Sequence, residues 1–385
     1  MKGLVILGST GSIGRQTLDI VRAFPDEFRV VGLAAGLNLE LLTAQIEEFR
    51  PRLACCASEE DRRLLPKGVA FAPMEEMVCQ PDVELIMAAT IGSAGLVPTL
   101  RALESKKAVA LANKEVIIMA GELVKSLAGP DGGVLLPVDS EPSAIWQCLQ
   151  GENGQVRRII LTASGGPFRT TPIEYLEKVT PEEALKHPTW KMGKKITVDS
   201  ATLMNKAFEV IEAHWLFDVP WDRIEVVVHP QSIIHSMVEL TDGSVKAQLG
   251  PPDMRLPIQY SLFYPTRLEN QQIPRLDTGI AHSLTFQPLE SQRYPCFNLA
   301  VEAGKKGGTY PAVLSAADEV AVELFLQRRI GFMDIHRTVE RVLEDHSPSS
   351  GKSLDEILAA DHWAREQARE VAGALPGLAS VGRGA

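Results

Sequence analysis

Residues 4–14 read LVILGSTGSIG, a short apolar run that passes directly into a glycine-rich loop, and a helical pattern follows over residues 15–24. In this context a glycine loop binds a pyrophosphate, because glycine lets the backbone approach the phosphates and the helix N-terminus supplies amide donors. The spacing is G-x-x-G-x-x-G rather than the more familiar G-x-G-x-x-G. An ordinary strand-to-helix turn is the alternative interpretation. We predict a dinucleotide-binding loop here.

The pattern around this loop repeats the alternation of strand and helix. Apolar runs typical of strands lie at residues 28–33, 85–89 and 108–112, and helical periodicity marks residues 39–49. Strands that alternate with helices form parallel sheets with helices on both faces. We therefore predict that residues 1–150 form an α/β, doubly wound, Rossmann-like domain that binds NADP.

A different pattern begins after the Asn153-Gly154 turn signal. One helix is expected at residues 199–216, and residues 241–243, read TDG, are expected to close a hairpin. The strands expected in this region lie at residues 158–162, 225–228, 232–240 and 244–249. We predict a central α+β domain at residues 151–265 that carries the catalytic, substrate and metal sites.

The rest of the chain is expected to be a linker followed by helices. Residues 266–300 are rich in polar residues and proline and are predicted to be a linker. A C-terminal α-helical domain follows at residues 301–385, with Ser353 and Glu356 in capping-box spacing. Its helices are expected at residues 312–327, 334–344 and 353–374. Residues 376–385 are expected to be frayed.

Composition limits the class of protein. A chain of 385 residues is too long for one core, and a net charge of -10 argues against a broad nucleic-acid-binding surface. The five cysteines are odd in number and form no C-x-x-C pair, which favours a reducing compartment. Neither a signal-peptide layout nor a long apolar span is present, so we expect a soluble cytoplasmic protein without membrane contact.

The end of the second predicted strand bears on the choice of cofactor. Residues 35–38 read AGLN, without the acidic residue that an NAD site uses to bind the ribose hydroxyls. This absence leaves room for a 2′-phosphate and favours NADP. No arginine or lysine stands there to bind that phosphate.

Three acidic residues are candidates for a metal site. Asp139 and Glu141 are two residues apart and would point the same way on an extended segment. Glu209 lies on the polar side of a helical stretch, residues 200–209, read SATLMNKAFE. Three carboxylates suit a hard divalent ion. The alternative is that these acids and that helix face are simply solvated.

Polar and basic segments elsewhere suit an anionic ligand. The strand at residues 159–163 ends in Ser164 and two glycines, a plausible anion cradle or a simple loop. Residues 185–195, LKHPTWKMGKK, resemble a mobile lid, although an exposed basic loop is the alternative. Lys114 ends a strand of the first domain and either contacts a ligand or pairs with Glu115 on the surface.

Two histidines are six residues apart, close to one strand. His229 precedes a proline at a strand edge, where it could line a site, whereas His235 is expected to pack or bond locally. His229 is therefore counted with Lys114, Glu141 and His187 as a candidate catalytic residue.

Taken together and in chain order, the motifs described above resemble those of the 1-deoxy-D-xylulose 5-phosphate reductoisomerase family. The motifs that carry the resemblance are GSTGSIG at 8–14, LANKE at 111–115, PVDSE at 137–141, SGGPF at 164–168, HPTWKMGK at 187–194, VDSATLMNK at 198–206, HPQSIIHSMV at 229–238 and AQLGPPDMR at 247–255. The resemblance covers nearly the whole chain. It implies a homodimeric enzyme that uses NADPH and Mg²⁺ or Mn²⁺ to convert 1-deoxyxylulose 5-phosphate to 2-C-methylerythritol 4-phosphate, early in isoprenoid synthesis.

The resemblance also implies roles for individual residues. The metal ligands are Asp139, Glu141 and Glu209. The substrate contacts are Lys114, Ser140 and Glu141 at the reacting end, Ser164, Ser200, Asn205 and Lys206 with His187 at the phosphate, Trp190 in the lid, and Glu209. The NADPH contacts are Thr10, Gly11, Ser12, Ile13, Gly36, Asn38, Asn113, Glu115 and Gly193, with Met254 beside the nicotinamide. Leu37 stands where related sequences often carry a basic residue.

Two other functions are kept as alternatives. One is a different NADP-dependent phosphosugar or semialdehyde reductase without skeletal rearrangement. The other is a cofactor-binding sensor that has lost catalysis. For the rearrangement itself, a retro-aldol split and a one-step shift are both open.

Overall fold

A computed structural model describes residues 1–152, 155–280 and 283–375 of the chain. The predicted turn at Asn153-Gly154 and the predicted frayed residues 376–385 lie outside the described residues. Contacts divide the chain into two compact units. The first comprises Met1–Val116, Leu123–Trp146 and Asp253–Arg275, and the second Ile117–Glu122, Gln147–Pro252 and Leu276–Ala385. The four-part division at residues 150, 265 and 300 stays a prediction.

The described residues form the following elements. The strands are β1 Lys2–Leu7, β2 Phe28–Ala34, β3 Leu53–Cys55, β4 Ala70–Phe71, β5 Leu85–Ala88, β6 Ala108–Leu111, β7 Val134–Pro137, β8 Val156–Ala163, β9 Ile224–Val228, β10 Ile234–Leu240, β11 Val245–Leu249 and β12 Gln287–Pro288. The helices are α1 Ser12–Ala23, α2 Leu39–Phe49, α3 Glu59–Arg62, α4 Met74–Met77, α5 Leu96–Glu104, α6 Glu115–Leu127, α7 Ser140–Leu149, α8 Pro181–Ala184, α9 Lys194–Thr202, α10 Met204–Phe217, α11 Arg255–Phe263, α12 Pro295–Lys306, α13 Tyr310–Leu326, α14 Phe332–Asp345 and α15 Leu354–Ala374.

A parallel sheet of seven strands organises the first unit, in the order β4-β3-β2-β1-β5-β6-β7. Leu4 to Leu7 of β1 are fully buried, as expected for a central strand of a sheet covered on both faces. Leu7 is in register with Ala34 of β2 and Ala88 of β5. The carboxyl ends of these strands therefore meet at one edge of the sheet. The predicted doubly wound, Rossmann-like fold is confirmed.

The second unit contains a mixed sheet of five strands, in the order β11-β10-β8-β9-β12. Strands β8 and β9 are parallel, and the other neighbours are antiparallel. The predicted hairpin joins β10 to β11, and Gly243 adopts φ +88 at its turn. Helix α10 contacts β8 and β9. The predicted α+β character of this region is confirmed.

The single helix predicted at residues 199–216 is wrong. The structure has two helices, α9 and α10, because Leu203 adopts the left-handed conformation at φ +55. The hydroxyl of Thr202 stabilises the break by accepting the amide of Met204 at 3.3 Å and donating to the carbonyl of Asp199 at 3.2 Å. Ser200 and Asn205 consequently lie on different helices.

The predicted C-terminal helices are confirmed as α13, α14 and α15. Their apolar faces pack in one core with residues of α9 and α10, among them Phe208 and Phe325. Ser353 caps α15 by accepting the amide of Glu356 at 3.2 Å. The Glu356 carboxylate accepts instead from the Lys352 amide and the Ser350 hydroxyl, so only half of the predicted capping box forms. Across the described part of the chain, no helix is both long enough and apolar enough to cross a membrane.

Candidate active site

The glycine loop leaves β1 at the carboxyl edge of the first sheet. Gly8, at φ +86, and Ser9 both donate their amides to the carbonyl of Ala34 at 2.8 Å, which fixes the loop beside the end of β2. A Cβ on Gly8 would lie 2.3 Å from the Ala89 carbonyl oxygen, and one on Gly14 would lie 2.3 Å from the Gly8 oxygen. These two glycines therefore serve close packing.

The first turn of α1 is open to an anion. Its N-cap residue, Gly11, provides no side-chain hydrogen bond to the first helical amides. Thr10, Gly11, Ser12 and Ile13, the predicted pyrophosphate contacts, are exposed or half-buried around this turn. The arrangement fits a phosphate group at the start of a helix that is twelve residues long.

The loop after β2 carries no cation. Leu37 is 92% exposed, and nothing lies within 4 Å of a Cβ placed on Gly36. Asn38 caps α2, since its Oδ1 accepts the amide of Leu41 at 3.1 Å. The side-chain NH₂ of Asn38 remains the donor that this loop can offer a cofactor.

Buried polar groups follow β5 and β6. Asn113, which is buried, donates through Nδ2 to Oε2 of Glu115 at 2.8 Å, so two predicted cofactor contacts lie together. Its Oδ1 and the hydroxyl of Thr90 are buried and have no hydrogen-bond partner in the described residues. A Cβ on Gly95 would lie 2.4 Å from both atoms. The sequence interpretation overlooked Thr90, whose only signal is its position just after a buried strand.

Lys114, which is buried, and Asp139, which is half-buried, form an ion pair just beyond the adjacent ends of β6 and β7. The alternative of a surface pair between Lys114 and Glu115 is wrong, because Lys114 is only 4% exposed. The Oδ1 of Asp139 also accepts the amide of Ser140 at 3.0 Å, and the hydroxyl of Ser140 donates to Oε2 of Glu141 at 2.6 Å. Glu141 belongs to the first turn of α7, so our assumption that it lies on an extended segment with Asp139 is wrong.

In the second unit, the polar face of α10 is buried. Lys206, Glu209 and Glu212 are 4%, 1% and 1% exposed, so the alternative of a solvated helix face is wrong. Glu209 pairs with Lys206 and accepts the Nδ2 of Asn205 through Oε1 at 2.7 Å. Buried carboxylates need such compensation, because an uncompensated charge in a low-dielectric interior is costly.

Ser164 and His187 are joined in a directed hydrogen-bond chain. The Nδ1 of His187 accepts the amides of Thr189 and Trp190, at 3.2 and 2.8 Å, and therefore carries no proton. The proton of the neutral ring sits on Nε2, which lies 3.0 Å from the Oγ of Ser164. Burial lowers the pKa of His187 to about 4, so the ring is neutral at pH 7.

The loop after β8 approaches α9 closely. Ser164 Oγ accepts the amide of Gly166 at 3.1 Å in addition to the His187 proton, so its own hydrogen is available to another acceptor. Gly166 adopts φ +66, and a Cβ there would lie 2.5 Å from the carbonyl oxygen of Ser200. The structure thus brings three predicted phosphate residues, Ser164, His187 and Ser200, to one place in this unit.

The segment predicted as a lid connects α8 to α9. Trp190 is half-buried, and its ring centroid lies 6.1 Å from that of His235. Gly193 is exposed and caps α9, accepting the hydroxyl of Thr197 through its carbonyl at 2.7 Å. Met254, predicted to lie beside the nicotinamide, precedes α11 in the first unit.

His229 is fully buried. Its Nδ1 donates to the carbonyl of Thr285 at 2.9 Å, while Nε2 accepts the amides of Ile233 and Ile234 at 3.2 Å. Phe286 stacks on the ring at 5.2 Å. Backbone groups of the chain occupy both ring nitrogens, so the ring holds the 229–234 segment in position. A catalytic role for His229 stays a prediction.

Comparisons with known proteins agree along the chain. Three family models match: DXP reductoisomerase C-terminal domain at residues 249–367, 1-deoxy-D-xylulose 5-phosphate reductoisomerase C-terminal domain at 135–217, and 1-deoxy-D-xylulose 5-phosphate reductoisomerase at 4–121. The chain is 52% identical to 1-deoxy-D-xylulose 5-phosphate reductoisomerase of Pelotomaculum thermopropionicum, over 96% of this chain and 98% of that protein.

Two solved structures are similar in fold and sequence. The enzyme of the same name from Zymomonas mobilis in complex with NADPH superposes with a TM-score of 0.90 and 42% identity, over 97% of this chain and 100% of the other. A DOX-P reductoisomerase in complex with NADPH, fosmidomycin and magnesium gives a TM-score of 0.92 and 37% identity, over 97% and 99%.

Proposed function

The chain belongs to the 1-deoxy-D-xylulose 5-phosphate reductoisomerase family. From this premise we propose which of its residues bind the cation, the substrate and NADPH. The enzyme converts 1-deoxy-D-xylulose 5-phosphate to 2-C-methyl-D-erythritol 4-phosphate, with NADPH and a divalent cation, in the supply of isoprenoid precursors. The observation that carries this function is the identity of 52% over nearly the entire length of both chains.

The carboxylates Asp139, Glu141 and Glu209 are assigned as ligands of Mg²⁺ or Mn²⁺. Oxygen donors suit these hard cations. Asp139 and Glu209 form ion pairs with Lys114 and Lys206, so each carboxylate is held in the negatively charged form that a cation requires, and a bound cation would share that charge with the two ammonium groups. When bound, the cation supplies Lewis-acid stabilisation of the negative charge that develops on substrate oxygens.

The substrate's phosphate is assigned to Ser164, Ser200, Asn205 and Lys206. The directed chain from His187 leaves the Ser164 hydroxyl free to donate, which suits a phosphate oxygen. Lys206 supplies the positive charge. Binding energy from this remote group can order Trp190 and the lid and exclude water from the reacting carbons.

At the reacting end, Lys114, Ser140 and Glu141 are assigned to the substrate's hydroxyl and carbonyl oxygens. Lys114 is held by Asp139 and can donate a proton or a hydrogen bond, and Glu141 can accept one. The first unit binds NADPH through the glycine loop, Gly36, Asn38, Asn113 and Glu115, with Gly193 and Met254 completing the contacts. NADPH, when bound, supplies the hydride.

Two further properties follow from the family. We infer a homodimer and a cytoplasmic location. All five cysteines are free, which agrees with a reducing compartment.

Product analysis tests the proposed function. The enzyme is incubated with carbon-labelled 1-deoxy-D-xylulose 5-phosphate, NADPH and Mg²⁺, and the product is identified by carbon NMR. A branched product with a methyl group on a tertiary carbon is expected. A reduced but unbranched product would contradict the proposal and favour a simple phosphosugar reductase.

A further inference from the structure

The phosphate on the adenine ribose of NADPH requires a cation that the loop after β2 does not contain. In doubly wound sheets that ribose lies at the end of the second strand. Here the loop offers Gly36, Leu37 and Asn38, and the Oδ1 of Asn38 already caps α2. A phosphate monoester carries nearly two negative charges at neutral pH, so one side-chain amide is a poor counterpart.

The loop before α1 packs against α2 at this place. The amide of Ser9 donates to Ala34 at the end of β2, and the side chain of Gln45 on α2 donates to the carbonyl of Ser9 at 2.9 Å. These bonds hold the loop before α1 against the end of β2 and the middle of α2. A groove of about 380 Å³ runs between the two helices. Its lining includes Ser12, Arg15, Gln16, Leu41 and Gln45.

Two arginines line the groove, and they differ in whether a carboxylate pairs with them. Arg22, at the far end of α1, donates to both carboxylate oxygens of Glu48, at 2.6 and 2.8 Å, and to Asp19 at 2.6 Å. Its guanidinium is therefore compensated. Arg15 lies one turn after Ser12 on the same side of α1 and is exposed. In the part of the chain that the structure describes, no carboxylate pairs with Arg15.

We propose that Arg15 binds the 2′-phosphate of NADPH and so sets the preference for NADPH over NADH in this chain. The planar guanidinium can donate two parallel hydrogen bonds to a phosphate, and Ser12, one of the predicted pyrophosphate contacts, lines the same groove. The cation that the loop after β2 lacks is thereby supplied from α1. This inference rests on the proposed function, since it takes NADPH as the cofactor.

Arg63 is a suitable matched control. It follows α3 after the neighbouring strand β3, is exposed, and likewise has no ion-pair partner in the described residues. It differs from Arg15 in lying outside the lining of the α1–α2 groove. An effect of general surface charge would be the same for both arginines, whereas a specific contact would not.

The test measures dissociation constants of NADPH and NADH by fluorescence titration of the full chain, without substrate or metal, for the wild type, Arg15→Gln and Arg63→Gln. Arg15→Gln should weaken NADPH binding about tenfold or more and leave NADH binding unchanged, because a charge-assisted pair is lost only with the phosphorylated cofactor. Arg63→Gln should change neither. Adenosine 2′,5′-bisphosphate should show the same loss with Arg15→Gln, and 5′-AMP should not.

Three results would overturn the inference. An unchanged ratio of NADPH to NADH affinity in Arg15→Gln would exclude Arg15 as the phosphate ligand. A selective loss of NADPH binding in Arg63→Gln would move the subsite to α3. If the wild type bound neither nucleotide, both this inference and the proposed function would fail, whereas the first two results leave the proposed function standing.

Discussion

The Oγ of Ser164 lies 3.0 Å from the Nε2 of His187, and the direction of this hydrogen bond is fixed by what happens at the opposite side of the ring. Two lid amides donate to Nδ1, so the ring donates to Ser164 through Nε2. His187 thus links the position of the lid backbone to the orientation of one hydroxyl. Its neutral form is required, because a proton on Nδ1 would face two N–H donors.

His187→Phe should raise KM for the phosphosugar about tenfold while kcat falls much less, because the orientation of Ser164 affects a binding group remote from the chemistry. His187→Gln keeps a side-chain N–H donor and should recover part of the loss. Steady-state kinetics at saturating NADPH measures both variants. Equal losses in kcat and kcat/KM, with KM unchanged, would contradict a role confined to phosphate binding.

The lowered pKa of His187 also predicts that the free energy of unfolding depends on pH. Burial lowers its pKa from the ordinary 6.5 to about 4, so between these values the unfolded chain binds more protons than the folded chain. The contribution of the neutral ring is complete above pH 6.5 and is lost as the pH falls towards 4. Urea midpoints of the wild type and His187→Phe should therefore converge on acidification from pH 7 to pH 4.5. A constant difference between them would show that the ring titrates normally.

Gly166→Ala should be clearly destabilising. The backbone is left-handed at φ +66, which costs roughly 1–2 kcal/mol for an L-residue, and the new Cβ would lie 2.5 Å from the Ser200 oxygen. Gly243→Ala is the matched control, since Gly243 has φ +88 and open space around its Cβ position. The free energy of unfolding should fall more in Gly166→Ala, and KM for the phosphosugar should rise only there. Equal effects of the two substitutions would mean that the close approach of Gly166 to the Ser200 carbonyl oxygen contributes to neither stability nor substrate binding.

The ion pair of Lys114 and Asp139 predicts a link between metal and stability. Lys114→Met leaves the half-buried carboxylate of Asp139 without its counter-charge and should cost about 2–3 kcal/mol in metal-free buffer. Saturating Mg²⁺ should recover part of this loss, because the proposed cation site includes Asp139. Lys246→Met, which removes an exposed pair with Glu152, should change stability by about 1 kcal/mol or less with or without Mg²⁺. Thermal unfolding of both variants with and without Mg²⁺ makes the comparison, and a Mg²⁺ response that is the same in both would argue against the assignment.

Much of the first sheet could be predicted from sequence, because its central strands are buried on both faces and appear as continuous apolar runs. Strands β3, β4 and β7 were not identified. Strands β3 and β4, with three and two residues, are too short to show a period, and β7 contains Pro137, which argues against a strand in sequence but is tolerated at this edge of the sheet. The break at Leu203 was also not identified, because a left-handed leucine has no composition signal and its stabilising hydroxyl, on Thr202, is indistinguishable from any helical threonine.

For the site, linear motifs located most candidate residues but not their environment. Burial of the α10 polar face is a tertiary property, so the sequence left open whether Glu209 was solvated. The hydrogen bond of His229 depends on Thr285, which is 56 residues away and lies within the segment predicted as a linker. Partners at such separation leave no periodic pattern in a single sequence.

Glu209→Gln addresses the central claim, that a carboxylate-bound cation and NADPH act together on one phosphosugar. NADPH oxidation is followed by absorbance with 1-deoxy-D-xylulose 5-phosphate, with and without Mg²⁺ or Mn²⁺, for the wild type, Glu209→Gln and the exposed control Glu302→Gln. Oxidation should require the cation in the wild type and in the control. In Glu209→Gln it should fall about a hundredfold or more even at high metal concentration, with NADPH affinity unchanged. Wild-type oxidation without any divalent cation, or full turnover of Glu209→Gln at saturating metal, would contradict the account.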